Sequence, residues 1–255
     1  MPHRAPVLAI AVSMATFLTT TSALAQASKV ELPSSTGSLT ATPEWTVLMP
    51  NELAQEIPAT NLTSEDSRTW LMSCVAELKA QERTDQHVLL YRLGNDPDQL
   101  QLVNAYSDDV STTSSDLLNE EAIAQMSTAL VEEASTPDRP LKYYGHDIPD
   151  MYNVEPLLLH LAPVDDQSMW RMSVMVVPAG SRLQYFECQY RADDPTAKQS
   201  IQTLLRTFDG AKEPDSSISN LLIASLAGAT AGILTALLRR RRQLHTASRL
   251  TQSNS

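Results

Sequence analysis

The chain has 255 residues and a net charge of −11, and that charge is unevenly placed. Residues 26–217 hold all 30 acidic side chains but only 13 of the 19 basic ones, a net of −17, whereas residues 239–255 carry five arginines and no acid. The acidic stretch repels phosphate backbones and anionic headgroups alike, which excludes nucleic-acid binding there. The seven glycines of the chain are too dispersed for a dinucleotide fingerprint or a Walker loop.

Taken in chain order, residues 1–25 have the three parts of a secretory signal. His3 and Arg4 give a positive start, residues 7–18 are an apolar run, and Ala23-Leu24-Ala25 is a small-x-small cleavage site before Gln26. The run is too short to span a bilayer, and an uncleaved anchor is the alternative. Residues 26–37 are rich in Ser and Thr and read as a flexible lead-in. Residues 38–210 then form one extracytoplasmic domain, without internal repeats and long enough for a core of its own.

Within that domain, residues 38–47 are expected as a strand. Thr63 or Ser64 caps a helix whose apolar stripe is Trp70, Cys74 and Leu78, flanked by Leu71 and Val75. A hairpin follows over 87–93 and 99–106, turning at Gly94-Asn95-Asp96-Pro97. Asn119 caps a helix with Glu120 and Glu121 in its first turn and Ile123, Met126 and Leu130 on its apolar face. Residues 154–161, 168–177 and 182–190 alternate as three strands of an antiparallel meander, the last two joined at Pro178-Ala179-Gly180. Trp170, Met172, Val174 and Val176 share one face of their strand, and Phe186, Cys188 and Tyr190 one face of theirs. Asp194, Pro195 and Gly210 bracket a closing helix that aligns Ala197, Ile201, Leu204, Leu205 and Phe208. Hairpins with interspersed helices make the expected fold class α+β, one antiparallel sheet flanked by helices.

After a polar linker at 211–217, residues 218–238 carry no charge and would extend ~32 Å as a helix, about the thickness of a hydrocarbon core. Arg239 to Arg242 follow at once and mark the cytoplasmic side, so residues 239–255 form a basic tail. The expected protein is thus single-pass in the membrane, with its acidic domain outside the cytoplasm. A buried core helix is the alternative for 218–238, and a cleaved sorting signal is a further one. Ala224, Gly228, Gly232 and Ala236 recur every four residues, a small-residue face through which two such helices can pack as a homodimer.

The order of these elements resembles the PsbP-like superfamily. The residues that carry the resemblance are Pro43, Glu44 and Trp45 in the first strand, the middle hairpin and helix, and the closing meander with its Leu204-Leu205-Arg206-Thr207-Phe208 helix. It spans residues 38–210 and implies an antiparallel sheet flanked by helices. It also implies the habit of that superfamily: small exported or lumenal proteins, often membrane-associated, acting as binding or assembly factors without known catalysis. It carries over no site residue.

Candidate chemistry is sparse. Cys74 and Cys188 lie in the exported part, where an oxidising compartment permits one disulfide between them; two buried thiols are the alternative. His146, Asp147, Asp150 and Glu155 are the densest local set of metal-ligand types, but with Gly145 and Pro149 among them they read as an exposed acidic loop. Asn95, Asp96 and Asp98 begin like a calcium loop and lack its central glycine and closing glutamate, so they read as a turn. His160 could meet Ser173 or Cys188 from a neighbouring strand and so nucleate a hydrolase site. No cofactor is implied. The function expected is a non-catalytic, membrane-anchored extracytoplasmic module that binds an envelope partner, which would be basic. An envelope hydrolase built around His160 is the alternative.

Overall fold

The computed structural model describes residues 27–33, 37–55, 62–80, 82, 84–135, 140–165 and 169–214. Residues 1–25, expected as a secretory signal, the apolar segment 218–238 with Ala224, Gly228, Gly232 and Ala236, and the basic tail lie outside the described residues. Among the described residues no helix is long and apolar enough to cross a membrane.

Alternating apolar residues and tight turns build a seven-stranded antiparallel sheet. Its strands are β3 (Thr46–Leu48), β4 (Val88–Leu93), β5 (Leu100–Asp108), β6 (Leu141–Asp147), β7 (Leu157–Pro163), β8 (Trp170–Ala179) and β9 (Arg182–Arg191), in the spatial order β3-β4-β5-β9-β8-β7-β6. Local hairpins make the two halves, and the long-range β5–β9 pairing, from Leu102↔Gln189 to Asp108↔Leu183, joins them. The α+β reading holds in this form: a mostly antiparallel sheet flanked by helices. The β8–β9 turn is the two-residue Gly180-Ser181, with Ala179 opposite Arg182, so β8 runs two residues further into the turn than expected while β9 begins at Arg182 as expected. Gly180 has φ +69°, the left-handed conformation that a two-residue hairpin demands at its first position.

Besides the single-turn helices α1 (Pro50–Leu53) and α3 (Ser114–Leu117), three longer helices cover the sheet. On one face α5 (Ala197–Leu205) buries Ala197, Ile201, Leu204 and Leu205 against Val103, Met175, Phe186 and Cys188. On the other, α2 (Glu65–Ala80) buries Leu71, Val75 and Leu78 over β4 and β5, and α4 (Glu120–Ala134) buries Ile123 and Met126 over β7 and β8. The Asn119 side chain caps α4 as expected, accepting from Glu121 N at 2.9 Å. Asp194, expected as the cap of α5, lies two residues before the N-cap Thr196. Its Oδ1 accepts from Thr196 N and Oγ1, its Oδ2 accepts from Gln101 Nε2 at 2.6 Å, and the approach to α5 is thereby pinned to β5.

Four expectations need correction. Residues 28–31 are not a flexible lead-in but β1 (Ser28–Glu31), paired with β2 (Ser38–Ala41) in a separate two-stranded sheet that buries Val30 and Leu39. The single strand expected at 38–47 is accordingly two, β2 and β3, split by a turn in which Trp45 N donates to Thr42 O across Pro43. The acidic loop expected around His146 and Asp147 is the edge strand β6, whose pattern is broken by a bulge between Tyr143 and Gly145. Finally, the Cys74–Cys188 bridge does not form, and both residues are thiols. Cys188 faces α5 whereas Cys74 rides on α2, so the sheet stands between them.

Candidate functional site

β9 is flanked on both sides and covered on both faces, so its alternation separates two environments. Val176 opposes Tyr185 and Met175 opposes Phe186, which sends Tyr185, Glu187 and Gln189 toward α2 and α4, and Phe186, Cys188 and Tyr190 toward α5. The two apolar stripes expected on β8 and β9 are therefore on opposite faces.

On the first face α2 and α4 cover the ends of the sheet and leave a cavity of about 110 Å³ between them. Glu187 forms its floor, and Glu77 of α2 and Glu133 of α4 stand at its exposed rim. Asn104 Nδ2 (3.3 Å) and Gln189 Nε2 (2.6 Å) donate to the Glu187 carboxylate. Asn104 Oδ1 in turn lies 2.9 Å from His87 Nδ1, and because the Asn104 amide nitrogen is committed to Glu187, the His87 nitrogen is the donor. The His87 ring packs on Tyr106 at 4.8 Å, and Tyr106 stacks on Tyr185 at 5.1 Å. Burial raises the Glu187 carboxyl above its ordinary range, the two amide donors oppose that, and the charges of Glu133 and Glu77 add to it. Tyr106 is likewise pushed well up, by burial first and then by Glu187 and Glu133. Among the described residues no Lys or Arg lines this cavity. A positive group entering it would meet a partly desolvated carboxylate ringed by hydrogen-bonding side chains, where Coulomb attraction is stronger than in water.

On the second face a crevice of about 100 Å³ opens between α5 and the strands β7 to β9, beside the end of β6. His160 and Ser173 are register partners on β7 and β8, and His160 Nδ1 lies 3.0 Å from Ser173 Oγ. His160 Nε2 lies 2.9 Å from Asp147 Oδ2 at the end of β6. Tyr144 stacks on the imidazole at 5.6 Å, and Lys198 and Gln202 of α5 line the crevice from above. The Tyr190 phenol is raised by burial, an effect that its hydrogen bond with Ser173 offsets in part. Cys188, opposite Ser173, is 2% exposed, and burial pushes its thiol far above the ordinary range.

The structure thus brings together His160 and Ser173, as the hydrolase alternative required, and adds Asp147, which sequence reasoning placed in a loop. His146 Nδ1 meets the Tyr143 hydroxyl at 2.8 Å, and Glu155 N donates to Ser114 Oγ, so the four acidic-loop residues do not converge. Among the described residues no group of three or more His, Cys, Asp or Glu is gathered to hold a metal. Glu187, Glu133, Glu77, His87, Asn104 and Gln189 were not singled out from sequence. The one available signal was a glutamate inside the apolar run Tyr185-Phe186-Glu187-Cys188, an unusual place for a charge in a strand covered on both faces. Comparison with protein-family models and with curated proteins finds no match.

Proposed function

We propose that this chain is a membrane-anchored extracytoplasmic binding or assembly module whose acid-lined cavity receives a basic group of an envelope partner. One observation carries the reading: three carboxylates, Glu77, Glu133 and Glu187, converge on one cavity. The net −17 of residues 26–217 supports it by attracting a basic partner over a longer range. The resemblance to the PsbP-like superfamily supports it too, since it implies a binding or assembly factor. The cavity on this reading recognises and does no chemistry.

The test uses the intact protein cross-linked in its own membranes. Reversing the rim with Glu77→Lys and Glu133→Lys changes two exposed side chains and leaves the core alone. A partner recovered with the natural protein and lost with this variant bears the reading out; equal recovery with both overturns it. Anchoring is tested apart from binding. Ending the chain after Ser217 releases the domain from membranes, and retention of that truncated protein through a carbonate wash refutes the single anchor. Pairing through the small-residue face weakens with Gly232→Ile in a membrane two-hybrid assay, and an unchanged signal removes the homodimer.

A further inference from the structure

Asp147, His160 and Ser173 come from three adjacent strands and form a continuous hydrogen-bonded row. A carboxylate only accepts, so His160 Nε2 carries the proton in the contact with Asp147, and Nδ1 of the neutral ring is left as the acceptor. Ser173 is then the donor to Nδ1. That tautomer is the one a general base needs, and Asp147 fixes it from outside with a side chain that is 72% exposed. The row opens into the crevice under α5, whose wall includes Lys198 and Gln202, one helical turn apart. Cys188 is the other nucleophile in reach of this crevice, but it is sealed beneath Ser173 as a thiol and has no base bonded to it.

We propose that Ser173 is the nucleophile of a small-acyl ester hydrolase site, with His160 as its general base and Asp147 as the positioning residue. In acylation Ser173 Oγ adds to the ester carbonyl carbon as its proton passes to His160 Nδ1. The C–O bond to the alcohol then breaks, and the alcohol leaves with the proton from Nδ1. In deacylation water adds to the acyl-serine, gives a proton to Nδ1, and releases the carboxylic acid as Ser173 Oγ regains the proton. Ser173 lies in the middle of β8, between β7 and β9, so the backbone there is engaged in the sheet. The negative oxygen of the tetrahedral intermediate is therefore met by side chains, the Lys198 ammonium and the Gln202 amide. A crevice of about 100 Å³ selects a short acyl group.

This activity goes beyond the binding reading and does not rest on it. It is measured with p-nitrophenyl acetate, which carries no cation, so the two readings fail separately. Full-length protein in detergent is treated with a fluorophosphonate, and its tryptic peptides are weighed. The expected result is a phosphonyl adduct on Ser173, with p-nitrophenolate release reduced at least about tenfold by Ser173→Ala. Asp147→Asn is expected to lower kcat by a similar factor with KM unchanged, and Asp147→Glu to restore part of it; neither exposed substitution disturbs the core. Lys198→Ala, also exposed, is expected to lower kcat in the same way. No adduct on Ser173 in folded protein, or equal turnover by the natural protein and Ser173→Ala, overturns the proposal.

Discussion

On the α5 face of strand β9, Phe186 is fully buried, meets Phe208 edge to face at 5.2 Å, and packs among Met175, Val177, Ile201 and Leu205. On the opposite face of the same strand, one residue further on, Glu187 sits at the floor of a cavity held by two amide donors. The difference comes from how many helices cover each face and where. Helix α5 and the β1–β2 sheet pack one continuous apolar core onto their face, interrupted by the crevice at His160 and Ser173. Helices α2 and α4, laid over the two ends of the other face, divide its apolar residues into two clusters, with Asn104, Glu187 and Gln189 of β5 and β9 between them. The strand thereby turns an apolar core to one side and an acid-lined cavity to the other.

The largest test of that comparison is to truncate one residue on each side. Phe186→Ala removes a fully buried ring from the continuous core and is expected to cost about 3–5 kcal/mol. Glu187→Gln, its neighbour, is expected to cost nothing at neutral pH. Urea unfolding of both variants measures the contrast, and equal losses would erase it. A smaller effect is expected where Gly37 packs against Gly210. A Cβ on Gly37 would stand 2.6 Å from the Gly210 Cα and press on the Phe208 ring, so Gly37→Ala should cost roughly 1–3 kcal/mol by forcing two backbones apart. Thermal unfolding reads that loss.

The wet face is expected to show itself through pH. Because burial raises the Glu187 carboxyl in the folded protein, the stability its protonated form contributes is fully present below the ordinary carboxylate range. That contribution is lost as pH rises through the raised folded value. Glu187→Gln should therefore melt higher than the natural protein at neutral pH, and the gap should close on acidification. A gap that is constant across pH would show that Glu187 is not desolvated in the folded state. The smallest effect concerns the thiols. Half-buried Cys74 should alkylate under non-reducing native conditions well before Cys188, which is 2% exposed with its thiol pushed up by burial. Mass spectrometry over time gives the order, and simultaneous modification would mean that the α5 face opens as readily as the other.

Elements with local signals are legible without the fold. The Asn119 cap, the Gly94 turn, the meander and the apolar stripe of α5 were legible because capping, turn chemistry and periodicity act within a few residues. The edge strand β6 was not, because Gly145 and the bulge beside it break the alternation, and β1 was not, because short polar strands form only against a partner. His160 and Ser173 could be paired from sequence as neighbours on adjacent strands, yet Asp147 joined them only once β6 was laid against β7. Which face a residue takes was likewise a tertiary decision. Each strand's alternation gives two sets of residues without saying which set of one strand aligns with which set of the next. Register between strands settles that, and register rests on pairings such as Asn104↔Glu187 that lie far apart in the chain. Cys188 and Cys74 were therefore each correctly read as lying on an apolar face, and only the registered sheet placed those faces on opposite sides. The acid-lined cavity has the same origin. Glu77, Asn104, Glu133 and Glu187 carry no common motif, and they meet because α2 and α4 dock at the two ends of the sheet and leave a cavity between them.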